Sequence, residues 1–412
     1  MRNSVTLMDI LIFVPAIAIF SRNRQVSTEL KLVTLTLFLT YPGLILIDHG
    51  HFQYNNISLG LFIWAVAFIL SGQELLGSMM FVLALSYKQM ELYHALPFFF
   101  YLLGICVKRE VSWFSTFFKL FKIGSVVILT FGLVWWPFIQ DLTQFEQVLH
   151  RIFPLNRGIF EDKVANIWCS LNVIYKLKNI LKQEELALAS AAVTLIGVLP
   201  SNLMLFWKPT KGQFISALLN TSLGFFLCSY QVHEKSILLV AFPALMAIKL
   251  YRGRYSNLVL LWFLIISTMS MWPLLVKDGL ILACIALQII FVTASHYLEL
   301  FEFELLTENN ELLSARPRSR SPKPLTQNDM NKTFWMDWFV WTLFNMSLVG
   351  FVILSYASLF VKPPNQWPHL WPLVISVFSA SHFVLFWIYF YYCQIHQVME
   401  NSGANLDEKK KQ

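Results

Sequence analysis

The sequence predicts an all-α polytopic membrane protein with about 13 transmembrane helices, and three observations carry that reading. Charged residues make up 13% of the 412-residue chain and hydrophobic ones 57%, against about 25% and about 45–50% in soluble domains. The apolar residues gather in thirteen segments, near 5–20, 31–47, 57–71, 75–87, 92–106, 123–138, 186–206, 213–230, 236–250, 255–275, 279–298, 338–361 and 370–392. Many approach the about 20 residues that cross a bilayer. The connections between them alternate in chemistry. A mean hydropathy of +0.58 agrees. A water-soluble enzyme, a nucleic-acid binder and a disordered scaffold are excluded.

The first segment follows Met1-Arg2-Asn3-Ser4 without a small-x-small cleavage site, so it reads as a span and not a removable signal. Pro15, the Pro42-Gly43 pair and Pro97 interrupt spans. Such breaks are tolerated where neighbouring helices or a cavity satisfy the freed backbone groups. One class of connection is basic: Arg22, Arg24 and Lys31; Lys108, Arg109, Lys119 and Lys122; Lys208 and Lys211; Lys249, Arg252 and Arg254; Arg316, Arg318, Arg320 and Lys323. The positive-inside bias places these loops in the cytoplasm, so the net charge of +7 is loop charge and no nucleic-acid partner is expected.

The opposite connections carry acids, amides and imidazoles instead. They are 48–55, 87–91, the long stretch 139–185, 231–235 and the short Lys277-Asp278 turn. Within the long stretch, residues 142–152 and 170–182 read as amphipathic segments able to lie on a membrane surface. The tail Lys409-Lys410-Lys411-Gln412 resembles a dilysine retrieval signal of endoplasmic-reticulum membrane proteins, an address read by receptors. The chain thus divides into a transmembrane core over 1–298 with a long lumenal loop at 139–185. A basic cytoplasmic connection over 299–335, two last spans within 336–393 and a cytoplasmic tail over 394–412 follow.

Recurrence of carboxylate, imidazole and cation on one membrane face points to a shared site, against the plainer reading of solvated loops. Arg157 and Lys163 bracket Glu161 and Asp162, which suits an anionic headgroup bound beside a carboxylate as well as a structural ion-pair cluster. His49 and His51 flank Gly50 beside Asp48. No complete metal motif appears, so hydrogen bonding to a sugar or phosphate, or packing at the span end, is the expected role. His233 with Lys235 is a better anion-binding pair, with Glu234 available to Lys235. No P-loop, no GxGxxG and no Asp-x-Asp occurs. No cofactor and no metal are expected, and sugar transfer by such a chain would draw on a lipid-phosphate donor.

Four runs carry a resemblance: YPGLILIDHGHFQYNNISLG (41–60), SYKQMELYHALPFF (86–99), RIFPLNRGIFEDKVANIWC (151–169) and QVHEKSILL (231–239). They closely resemble the endoplasmic-reticulum α-1,3-glucosyltransferases that use dolichyl-phosphate glucose. Gly50 and the VHEK context favour the branch adding the first glucose to the lipid-linked oligosaccharide over the sister branch adding the second. The resemblance implies a GT-C fold with the active site on lumenal loops, a dolichyl-phosphate-glucose donor, a dolichol-pyrophosphate-linked high-mannose acceptor and an inverting transfer. A carboxylate must take the acceptor proton, for which Asp48, Glu161 and Asp162 are available. Cations and dipoles must stabilise the departing phosphate. His49, His51, Gln53, Lys88, Glu91, Arg157, Lys163, His233 and Lys235 are the candidates for binding the substrates and their phosphates.

The family's catalytic Asp lies in an Asp-Tyr-Pro-Pro segment in the first lumenal loop, and this sequence has no such segment. Thirteen spans with a cytoplasmic C-terminus also put the N-terminus on the far side. The expectation is therefore that one span and its loop are missing ahead of Met1, and that transfer is weak unless another carboxylate serves. A lipid transporter and a non-catalytic binding paralogue are the rival readings. The first calls for ionisable residues deep inside several spans; the second calls for donor binding without transfer.

Overall fold

The computed structural model describes residues 2–23, 28–109, 112–152, 163–180, 182–251, 253–301 and 327–409. Among them every regular element is a helix. Helix covers each of the thirteen apolar segments, but length and composition support eight membrane spans. These are Asn3–Arg22, Thr28–Gly50, Gln89–Lys108, Trp113–Ile139, Gln183–Trp207, Ser256–Lys277, Trp335–Phe360 and Leu370–Met399. The expected count of about thirteen is not confirmed among the described residues. Asn55–Leu70, Glu74–Tyr87 and Ile281–Tyr297 are apolar too but hold 16, 14 and 17 residues, below the about 20 of a typical spanning helix.

Two local expectations need correction. Lys119 and Lys122, expected in a loop, lie in the 27-residue helix Trp113–Ile139. Trp113, Phe114, Phe117 and Phe121 around them are exposed. Long lysine stems run along such apolar surface while the charge reaches out: Lys122 sits 4.4 Å over the Phe118 ring, and Lys119 meets Glu74 at 3.3 Å. The 170–182 stretch is not one amphipathic segment, because the helix Ile167–Tyr175 stops at Lys176, whose backbone is left-handed (φ 44°). Residues 142–152 do form a helix, Leu142–Ile152, begun by Asp141, whose carboxylate accepts from the Thr143 amide at 3.0 Å. The last helix runs unbroken from Leu370 to Lys409. Of the expected retrieval signal, Lys410 and Lys411 lie outside the described residues.

The core centres on Leu238–Ala247, all ten residues of which are buried. Phe242 on this helix meets the rings of Phe13, Phe38 and Tyr41 edge-on at 5.7–6.2 Å. With lipid outside, apolar character no longer separates inside from outside. Leu133, Ile196 and Leu282 are exposed, while Asn202, Gln213, Asn220 and Gln394 are buried. Small residues let helices approach where lipid offers no hydrophobic driving force. A Cβ on Gly197 would lie 2.6 Å from the Trp387 ring, and one on Gly224 would lie 2.6 Å from Val198. The Trp387 indole donates to the Asn220 carbonyl at 2.9 Å.

Four irregular helical turns position the site. Asp9–Phe13 and Leu46–Gly50 are wide π turns, and Gln89–His94 and Glu234–Ile237 are tight 3₁₀ turns. Non-α backbone at membrane depth persists where protein or a cavity satisfies it, and π turns concentrate at functional sites. At the other end of the helices the contacts are of a different kind. There Arg254 forks onto Asp337 at 2.8 and 2.6 Å, and Glu74 pairs with Lys119.

Candidate active site

The floor of the site is built at the start of the helix Asn55–Leu70. Asp48, fully buried, accepts from the Asn55 amide at 2.6 Å and from the Asn56 backbone N–H at 2.7 Å. The carboxylate therefore sits at the positive end of the helix dipole, where negative charge is favoured. Asn55 also reaches outward: its Nδ2 donates to Gln53 at 3.1 Å, and its Oδ1 accepts from the Lys88 ammonium. Asn56 Nδ2 donates to Asp9 at 2.8 Å, and the other Asp9 oxygen pairs with His49 Nε2 at 2.7 Å. One chain of contacts thus links Lys88, Asn55, Asp48, Asn56, Asp9 and His49.

A second chain closes the other side. His51 Nδ1 lies 2.5 Å from Asp278, and His51 Nε2 lies 3.2 Å from the Lys235 ammonium. The turn between His51 and Asn55 is strained, with Phe52 held at φ 71°, a conformation costing a side-chain-bearing residue about 1–3 kcal/mol. The Phe52–Tyr54 ring contact at 5.7 Å and the Tyr54 hydroxyl bonded to Ser4 at 2.8 Å hold it.

Between the chains lies a cavity of about 240 Å³, bordered by Gln53, Asn55, Lys88, Glu91, His233 and Lys235, with Leu238 and Leu239 behind. The cavity has room for a hexose ring or a phosphate. Burial pushes the Lys88 ammonium below the ordinary lysine value of 10.5; the Glu91 and Asp48 carboxylates pull the other way, and Lys235 adds a like charge. Glu91 is fully buried, accepting from Ser58 at 2.7 Å and pairing with the equally buried His94 at 2.8 Å. Lys163, at the far edge of the long loop, is lowered by burial and partly restored by Glu234. Its carbonyl accepts from Ser376 at 2.6 Å.

Of the candidates read from the sequence, Gln53, Lys88, Glu91, His233 and Lys235 line one cavity. Asp48, His49 and His51 stand behind it. The two imidazoles of the His-Gly-His turn face different carboxylates, Asp9 and Asp278, and do not converge as a shared ligand pair. Lys235 meets His51 at 3.2 Å, a contact the sequence reading did not anticipate. Arg157, Glu161 and Asp162 lie outside the described residues.

Sequence reasoning missed Asp9, Asn55, Asn56, Ser58, His94 and the role of Asp278. For Asp9 and His94 a signal existed, since each is an ionisable residue inside or beside an apolar segment, where such groups mark function.

Chemically, the arrangement can hold an anion between two ammonium groups and an imidazole, with a buried carboxylate beneath. Comparison with known proteins bears on what that anion is. The chain is 42% identical over 394 residues to the dolichyl pyrophosphate Man9GlcNAc2 alpha-1,3-glucosyltransferase of Gallus gallus, covering 95% of this chain and 75% of that protein. It is 40% identical to a probable enzyme of the same name from Drosophila melanogaster, over 94% of this chain and 75% of the other. A probable Arabidopsis thaliana counterpart is 35% identical over the whole chain and 72% of its own length. The model of one protein family matches residues 1–389, and on that match the chain belongs to the ALG6, ALG8 glycosyltransferase family.

Proposed function

We propose that this protein transfers glucose from dolichyl-phosphate glucose to the dolichol-pyrophosphate-linked Man9GlcNAc2 oligosaccharide, forming an α-1,3 linkage with inversion. The observation that supports this reading best is the cavity bordered by Lys88, His233 and Lys235, in a chain similar to proteins bearing that enzyme's name. The donor is a phosphodiester with one negative charge. Breaking its anomeric C–O bond leaves a lipid phosphate with a second charge, while an acceptor hydroxyl attacks the opposite face of the sugar and loses its proton. Cations placed where the second charge develops stabilise the transition state more than the ground state. Lys88 and Lys235 take that role, His233 hydrogen-bonds the phosphate or sugar, and Gln53 orients the hexose.

The proton acceptor must reach the acceptor hydroxyl. Asp48 is fully buried with its oxygens engaged by Asn55 and Asn56, so in this reading it shapes the floor. Glu161 and Asp162 are then the proposed bases, with Arg157 and Lys163 as further phosphate ligands. His49 supports the turn. The site faces the endoplasmic-reticulum lumen, and membrane lipids surround the helices.

The test is in vitro transfer with the purified chain, radiolabelled dolichyl-phosphate glucose and the Man9GlcNAc2 lipid. A product longer by one glucose is expected, along with loss of transfer in Glu161→Gln or Asp162→Asn. Transfer only to an acceptor already carrying one glucose would favour the sister activity. Donor binding with no transfer to either acceptor would sink the enzymatic reading.

A further inference from the structure

We infer that Asp278 is a positioning residue of the transfer site: through His51 it aims the Lys235 ammonium into the cavity. The inference rests on the function proposed above, which supplies the role of Lys235.

An ammonium has only hydrogens to offer, so His51 Nε2, 3.2 Å from Lys235 Nζ, must present its lone pair. The ring proton then sits on Nδ1, the nitrogen 2.5 Å from the Asp278 carboxylate. The carboxylate can only accept from it, so Asp278 selects the one tautomer that can receive Lys235. The nitrogen protonated on a histidine follows from the bond its other nitrogen makes. With the proton on Nε2, an N–H would face the ammonium and push it away.

The fold brings together groups 227 positions apart in the sequence. Asp278 follows the helix Trp272–Lys277, and Gly279 at φ +70° turns the chain sharply after it. That turn docks against Gly50, between the histidines: a Cβ there would stand 2.6 Å from Leu280 Cδ1. Two glycines therefore permit the approach that sets Asp278 against His51. Both His51 and Asp278 are about a quarter exposed. Lys235 lines that cavity and Asp278 does not.

The test is steady-state transfer kinetics for Asp278→Ala, Asp278→Glu, Lys235→Ala and the double variant Asp278→Ala/Lys235→Ala. Because charge on the phosphate grows during the reaction, the loss should fall on kcat with donor KM little changed. Loss of the partner that orients a metal-bound histidine costs about tenfold to a hundredfold, and by analogy a loss of that size is expected for Asp278→Ala. Asp278→Glu should recover much of it. In the Lys235→Ala background Asp278→Ala should cost nothing more, since its effect runs through the missing ammonium. Unchanged kcat in Asp278→Ala, or losses that multiply in the double variant, would overturn the inference.

If the parent protein transfers no glucose at all, the proposed function fails, and the positioning claim is decided separately. Acylation of Lys235 by a neutral N-hydroxysuccinimide ester, read by peptide mass spectrometry, should change several-fold in Asp278→Ala while Lys182 is unaffected. An equal rate at Lys235 would refute it.

Discussion

His94 donates its Nε2 proton to the main-chain carbonyl of Leu239, 2.9 Å away, in a fully buried setting. A carbonyl only accepts, so that proton is committed. The other ring nitrogen lies 2.8 Å from Glu91, and a single proton must lie between them, on imidazole or on carboxyl. Phe62 stacks on the imidazole ring at 4.0 Å, and Ser58 donates to the other Glu91 oxygen. This pair links the turn Gln89–His94 to Leu239 behind the cavity.

Replacing Glu91 by Gln should be tolerated, because an amide can donate to the His94 nitrogen and accept from Ser58. Glu91→Ala strands both partners. Breaking a buried pair from one side costs about 3–5 kcal/mol. Thermal unfolding in detergent should therefore rank the parent near Glu91→Gln, with Glu91→Ala far below. Equal losses in the two variants would show that the shared proton contributes nothing.

Lys88 makes a prediction with a sign. Burial moves its ammonium below the usual 10.5, so the site loses a cation at a lower pH than free lysine would. Transfer should therefore fall on the alkaline side before pH 10.5, and Lys88→Arg, whose guanidinium stays charged, should flatten that limb. Stability responds oppositely. Between the depressed value and 10.5 the unfolded chain binds more protons at this residue than the folded one, so its contribution to stability rises with pH. Lys88→Met should cost about 10²–10³ in kcat, the range for removing one electrostatic stabiliser of developing charge. An unchanged alkaline limb in Lys88→Arg would remove Lys88 from the mechanism.

The helical fold was legible because apolar segments of bilayer scale are a strong one-dimensional signal. Lys88, Glu91, His233 and Lys235 were legible too, as polar residues gathered at one end of consecutive spans. The connections among them were not. His51 and Asp278 are 227 positions apart, and neither run of sequence names its partner. The meeting of Asp9 with His49 depends on two π turns, a backbone choice that apolar composition does not encode. Span number stays unconfirmed for a similar reason: beyond its polar first turn Asn55–Leu70 is apolar and packed in protein, with twelve of its residues buried, and core and lipid ask for the same side chains.

The approach of the two turns at Gly50 and Gly279 can be tested by size. Leu280 Cδ1 is the movable end of a side chain, so Gly50→Ala should be mild, while Gly50→Val should force the 278–280 turn away. Gly279→Val should be worse than Gly279→Asn, because a left-handed backbone costs most for a branched residue and least for Asn. The expected penalty is about 1–2 kcal/mol for an ordinary side chain. Transfer and melting temperature measured together would check this. Activity preserved in Gly50→Val at parental stability would mean that the close approach is dispensable.

Away from the site, Gln394 shows how polar groups set helix register inside a membrane protein. Its oxygen accepts from Ser201 at 2.6 Å and Asn220 at 2.8 Å, and its amide donates to the Ser201 carbonyl at 3.0 Å and to Gln213 at 3.1 Å. The amide's donors and acceptors are all engaged, across the helices Gln183–Trp207, Lys211–Cys228 and Leu370–Lys409. Single interhelical hydrogen bonds in membranes average only about 0.6 kcal/mol, whereas each buried group left unpaired costs about 1–3 kcal/mol. Gln394→Leu leaves three neighbouring side chains to repair themselves, so a loss of about 2 kcal/mol or more is expected. Gln394→Glu should fare no better, since a carboxylate cannot donate to Gln213 or to the Ser201 carbonyl. Donor KM should stay at the parental value in whatever fraction remains folded, because Gln394 borders no part of the cavity. A loss near 0.6 kcal/mol in Gln394→Leu would mean that the neighbours find partners elsewhere and that the remaining packing and hydrogen bonds of the last helix, such as Trp387 to the Asn220 carbonyl, hold it in place.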